Sequence, residues 1–200
     1  MAITAEQVKA LRDRTGAGFM ECKAALTEAG GDMEDATTLL RKRGLAQVAK
    51  RAGRSTKEGL IGSYVHTGAK VGVLVEVNCE SDFVARTPEF QTLARELAMQ
   101  IAATIPRWVR REDVPAAERD RERAIYRAQF ESSGKPAQVI DKIVEGKLES
   151  FYQAAVLMDQ PSIRDGSVTV AQLVAQTATK VGENVTVTRF ARFKVGESDV

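Results

Sequence analysis

The residues able to do chemistry are few and widely spaced. The 200-residue chain has a single histidine, His66, and two cysteines, Cys22 and Cys79, in no C-x-x-C spacing. That set argues against a metal site or a disulfide framework and leaves free, reduced thiols. A Cys–His or Ser–His–Asp centre would have to use His66, whose place at a strand end beside a glycine turn suits a surface contact better than a general base. Gly16-Ala17-Gly18 begins like a dinucleotide fingerprint, but Glu21 stands where the third glycine should be and a helical segment precedes it. Val181-Gly182-Glu183 and Val195-Gly196-Glu197 lack the Gly-Lys-Ser/Thr of a P-loop. No cofactor and no direct nucleotide binding are expected. Arg107-Trp108-Val109-Arg110-Arg111 mixes an aromatic with cations as nucleic-acid sites do, yet Glu112 and Asp113 follow at once, which favours an ion-paired face.

The stretch hardest to explain by folding alone is Asn78-Cys79-Glu80-Ser81-Asp82-Phe83-Val84-Ala85-Arg86. It puts a large aromatic beside a carboxylate in a connection where small polar residues are usual. Two readings stand side by side. Phe83 tucks under a sheet while Ser81 or Asp82 caps a helical turn, or Phe83 protrudes as an apolar anchor of the kind that dominates protein interfaces.

The elements that must position these residues follow from periodicity. Thr4 and Gln7 form a capping-box pair ahead of Val8 and Leu11, and Thr15-Gly16-Ala17-Gly18 ends that helix. Phe19, Met20, Cys22, Ala25 and Leu26 make a second stripe stopped by Gly30-Gly31, and Asp32 caps a third with Met33, Ala36, Leu39 and Leu40. The run from Arg41-Lys42-Arg43 to Ser55 is expected to be a basic helix end and then a linker, making residues 1–53 a three-helix domain and 54–200 the core. From Gly59 the period becomes two. Leu60–His66 and Val71–Val77 pair through Thr67-Gly68-Ala69-Lys70, with Val71, Val73, Val75 and Val77 on the core face. Helices are expected over Glu89–Ile105, Ala116–Phe130, Pro136 to about Met158, and Val170–Val181. A last strand carries Val185, Val187, Ala191, Phe193 and Val195 on one face. The class is α+β, helices packed on a small three-stranded antiparallel sheet.

Composition narrows the function classes. With 29 Lys+Arg against 27 Asp+Glu the net charge is +2, which gives little reason to expect nucleic acid as a partner. No apolar run approaches the roughly 20 residues of a bilayer span, and the opening Met1-Ala2-Ile3-Thr4-Ala5-Glu6 lacks the pattern of a signal peptide, so a cytoplasmic location is expected.

Leu11-Arg12 with Thr15-Gly16-Ala17-Gly18-Phe19-Met20-Glu21-Cys22-Lys23-Ala24-Ala25-Leu26, and Val75-Glu76-Val77-Asn78-Cys79-Glu80-Ser81-Asp82-Phe83-Val84-Ala85, closely resemble the two signature stretches of the bacterial translation elongation factor Ts family. Ser133-Gly134-Lys135-Pro136, Val144-Glu145-Gly146-Lys147 and Gln160-Pro161 resemble its later core. Two departures preserve chemistry: Ser81 where threonine is usual, and Phe19 where methionine is common. The resemblance implies a ubiquitin-associated-like N-terminal domain and a guanine nucleotide exchange factor for elongation factor Tu, acting in protein biosynthesis by binding rather than as an enzyme. It implies that Leu11, Phe19, Met20 and Lys23 belong to a helical surface for Tu. Ser81, Asp82, Phe83 and Val84 belong to a loop intruding near its magnesium and phosphate site, and His66 to a further contact. The alternatives are an RNA-binding translation accessory protein and an enzyme using His66 with Cys79 or Asp82.

A homodimer joined through the core is also expected. Three strands leave an open edge and an uncovered face. Longer members of the family carry the core motif twice, whereas the hairpin occurs once here, so a second chain can supply the other copy. The competing arrangement is a monomer whose sheet is capped by its own helix from Pro136 to Met158.

Overall fold

The computed structural model describes residues 3–197; Met1 and Ala2 of the opening segment and residues 198–200 lie outside the described residues. The chain divides into two compact units. The first takes the chain through Leu60 together with Val77–Leu93 and Val174–Thr186, and the second takes Ile61–Glu76, Ala94–Leu173 and the chain from Val187 on.

In the first unit, α1 (Ala5–Thr15) opens on the expected capping box: the Gln7 N–H donates to Thr4 Oγ1 at 3.2 Å and the Thr4 N–H to Gln7 Oε1 at 3.0 Å. It stops at Gly16, whose φ of +70° only glycine adopts cheaply. Helix α2 (Phe19–Glu28) and α3 (Met33–Arg51) follow, α3 capped by Asp32 Oδ1, which accepts the N–H groups of Glu34 and Asp35. Val8, Leu11, Cys22, Ala25, Leu26, Ala36 and Leu40 close one core between the three helices. The expected exit at Arg41-Lys42-Arg43 does not break the helix, because Leu45, Ala46 and Ala49 are strong helix formers and carry α3 on to Arg51. Gly44 sits mid-helix for a packing reason. A Cβ there would lie 3.0 Å from Thr179 Cγ2, so the bare backbone lets α8 (Val170–Val181) approach.

The sheet has the order β1-β2-β3, from Glu58–Val65, Val71–Cys79 and Thr186–Lys194. On β2 the inward residues Val73, Val75 and Val77 are buried as the alternation requires. On β3 the expected single face divides: Val187 is buried, Thr188 and Arg189 are both exposed, and from there Ala191 and Phe193 point outward. The alternation slips by one residue after Val187, turning Phe190 and Arg192 inward.

Helix α4 is the single turn Asp82–Ala85, and α5 (Pro88–Thr104) follows it. Within the second unit, α5 lies against β1 so closely that a Cβ on Gly62 would be 2.7 Å from the Ala94 carbonyl oxygen. Helices α6 (Ala116–Ala128) and α7 (Ala137–Ala155) pair, with Arg123–Glu145 and Arg127–Asp141 ion pairs along them. Helix α7 stops before the expected Met158. The carbonyl of Ala155 accepts the N–H groups of Arg107 and Trp108, and the Leu157 N–H donates to the Trp108 carbonyl, which pulls Val156 into extended backbone.

Candidate functional site

The stretch after β2 is built from a strand end and one capped turn. Ser81 is extended at φ −132° and ψ 150°, and its hydroxyl oxygen accepts the Val84 N–H at 3.4 Å. Four residues of helix give two inward positions, filled by Val84 and Ala85, both buried. The other two, Asp82 and Phe83, therefore face out. Phe83 is 87% exposed and does not tuck under the sheet. A phenyl ring held bare to water on a capped turn does nothing for the fold, since exposed apolar area gains no burial energy. Its neighbour is oriented: Arg86 grips the Asp82 carboxylate through Nη2 at 2.5 Å and Nε at 3.3 Å. So exposed a pair contributes little stability and chiefly sets the direction of the carboxylate.

Beneath the turn, the buried Cys79 thiol donates to the Ser81 carbonyl at 3.1 Å. Burial, then the nearby Glu183 carboxylate, push this thiol above its ordinary range, so it supplies no ready thiolate nucleophile. The turn is braced by Glu183 and Asn184, which sequence periodicity gives no means of connecting to it: the Glu183 carboxylate accepts from Glu80 and Ser81, and the Glu80 carboxylate accepts the Asn184 N–H.

The helical residues separate into two kinds. Phe19 is 46% and Met20 70% exposed, with Lys23 also exposed one turn on, so these share one outward side of α2. Leu11 is 0% exposed and belongs to the core that holds α1 against α2 and α3, so it shapes a surface without lying on it. Leu45, on α3, is an exposed apolar residue that the stripe pattern did not single out. His66, in the second unit, is exposed just past β1, with its Nδ1 2.9 Å from the Tyr64 hydroxyl.

The Arg107–Arg111 cluster is committed internally. Arg107 stacks on Trp108 and pairs with Glu118 at 3.3 Å, Arg110 donates to the Val187 carbonyl at 2.8 Å, and Arg111 pairs with Glu149 and Asp159. No helix among the described residues is long and apolar enough to cross a membrane.

Comparison with known proteins decides the family. A family model described as elongation factor TS matches residues 4–197. This chain is a member of the elongation factor Ts family. It is 58% identical over 197 residues to elongation factor Ts of Fervidobacterium nodosum, covering 98% of this chain and 100% of the relative. It is 55% identical to that of Thermosipho melanesiensis over 195 residues, covering 98% and 100%, and 55% identical to that of Koribacter versatilis over 197 residues, covering 98% and 90%. Elongation factor Ts is the nucleotide exchange factor for elongation factor Tu, an accessory to translation elongation rather than a catalyst of covalent change. Neither the RNA-binding nor the His66-enzyme alternative gains support from these matches.

Proposed function

We propose that this chain promotes GDP release from elongation factor Tu by docking Phe83 as a wedge near the magnesium and phosphate site of Tu, with Asp82 fixing the local contacts. The observation that carries this is Phe83 itself, 87% exposed on a turn whose inward residues are buried. An aromatic already bare and mounted can fill a partner's pocket with little ordering cost. The exchange follows by linkage. A factor that binds nucleotide-free Tu more tightly than nucleotide-bound Tu lowers GDP affinity by the same ratio, and no bond is made or broken. Val84 and Ser81 serve as the buried and half-buried footing of the wedge. The test is release of labelled GDP from Tu by wild-type protein and by Phe83→Ala.

A second surface, Phe19, Met20 and Lys23 on α2, grips the nucleotide-binding domain of Tu, with Leu11 shaping it from beneath and His66 adding a contact from the core. Residues 1–53 are the gripping domain in this scheme and residues 54–200 the core and dimerisation domain; the protein acts in the cytoplasm and binds no nucleotide of its own. Met20→Asp places a charge on a 70% exposed position. It is expected to raise the KM for Tu about tenfold, about 1.4 kcal/mol, with an unchanged melting temperature. A KM within a factor of two of wild type removes α2 from the contact.

The core forms a homodimer through the outer face of the sheet. Ile61 and Val65 on β1, Leu74 on β2 and Phe193 on β3 are all exposed and all point away from the inward residues of their strands. Such a face can be covered by its own copy across a two-fold axis. Light scattering is expected to give a dimer mass at micromolar concentration under reducing conditions, and a monomer mass for Leu74→Arg with secondary structure retained. A wild-type monomer contradicts it.

A further inference from the structure

The turn that carries Asp82 and Phe83 is only four residues of helix, too short to hold its own shape by backbone bonding. Its mount comes from a residue 102 positions later in the chain. Gly182, at φ +77°, ends α8 and swings Glu183 and Asn184 toward the end of β2. There Glu183 Oε2 accepts the N–H groups of both Glu80 and Ser81 at 3.0 Å, and Oε1 accepts the Ser81 hydroxyl at 2.6 Å. Two successive N–H groups converging on one carboxylate oxygen form an anion-holding nest, here filled by the protein's own side chain.

The third bond matters most for the wedge. A serine hydroxyl has one proton and two lone pairs. With the proton committed to Glu183, the lone pairs of Ser81 are left for the Val84 N–H, the bond that caps the turn. Without that carboxylate the hydroxyl can rotate and the cap weakens. The brace is reciprocal: Glu80 Oε1 accepts the Asn184 N–H at 2.7 Å, and the Asn184 carboxamide donates to the carbonyls of Ala52 at 3.4 Å and Arg54 at 3.0 Å. The footing of the turn is thus tied both to the start of β3 and to the chain leaving α3.

We infer that Glu183 is a positioning residue for nucleotide exchange: its carboxylate fixes Ser81 and thereby holds Phe83 in the orientation that docks. This rests on the assignment of Phe83 as the wedge, and it extends that assignment to a residue that acts through Ser81. A rigidly presented aromatic loses less freedom on docking than a mobile one, so loss of the brace is felt at the exchange step.

The experiment compares full-length wild type, Glu183→Ala, Glu183→Gln, Phe83→Ala and the Phe83→Ala/Glu183→Ala pair in labelled GDP release, with amide hydrogen exchange on each. Glu183→Ala is expected to lower kcat/KM about tenfold, about 1.4 kcal/mol, and Glu183→Gln, which keeps an acceptor oxygen for the N–H groups, about threefold. Amides of Ser81 and Val84 exchange faster while those of Leu93 and Leu97 in α5 do not. In the Phe83→Ala background Glu183→Ala adds no further loss, because there is no ring left to position. Additive losses, or wild-type exchange by Glu183→Ala when Phe83→Ala is impaired, overturn the role of Glu183 alone. Should Glu183→Ala loosen α5 as well, Glu183→Gln decides: faster amides at Ser81 and Val84 with impaired release support the inference, and wild-type release contradicts it. Wild-type release by Phe83→Ala removes the wedge, and this inference with it.

Discussion

Phe83→Ala should lower the efficiency of GDP release from Tu roughly thirtyfold, about 2 kcal/mol, the loss typical of a central aromatic anchor at an interface. The melting temperature should stay within a degree or two of wild type. Both halves follow from one number, the 87% exposure of the ring: what is not buried in the free protein contributes little to its stability and is wholly available to a partner. Asp82→Ala should weaken release by a smaller factor, because its carboxylate is oriented by Arg86 but remains exposed. Steady-state release rates and thermal unfolding on the same preparations check the pair. A sharp fall in melting temperature for Phe83→Ala would show that the ring is buried, and would remove it from the docking surface.

Seven positions on, the opposite result is expected. Phe90 on α5 is 0% exposed and among the largest fully buried side chains. Phe90→Ala leaves a cavity as well as losing transfer energy, so the fold should lose about 3–5 kcal/mol. For a domain of this size that corresponds to a drop of about 6–20 °C in melting temperature. Denaturant titration checks it through a lowered midpoint at unchanged slope. A loss under about 1 kcal/mol would mean that α5 does not close the core as described. Phe83 and Phe90 carry the same side chain, and burial alone separates the ring left available to a partner from the ring that closes the core.

That difference is where sequence reasoning reached its limit. Caps are local, so Thr4 with Gln7, and Asp32 with the next turn, announce α1 and α3 through hydrogen bonds a few residues long. The alternation of Val73, Val75 and Val77 is equally legible, because a strand with one buried face must repeat every two residues. A four-residue turn spans barely one helical repeat, so no period can establish itself there. The pattern around Phe83 was therefore compatible with burial and with protrusion, and only the structure separates them. Leu11 shows the converse: a residue in a signature stretch whose side chain is wholly inside. Helix α7 ends short of the expected Met158 because the carbonyl of Ala155 is claimed by Arg107 and Trp108, partners far back in the chain. Glu183 was illegible for the same reason. Its local context is a glycine and the end of a helix, while its three donors belong to Glu80 and Ser81, far earlier in the chain.

The most direct measurement is the rate at which fluorescent GDP leaves purified elongation factor Tu, followed with excess unlabelled GDP as this protein is added at one-tenth the concentration of Tu. The proposed function predicts that release of the whole bound pool accelerates, each molecule of the factor serving many of Tu. Release at the intrinsic rate, whatever the amount added, would contradict it.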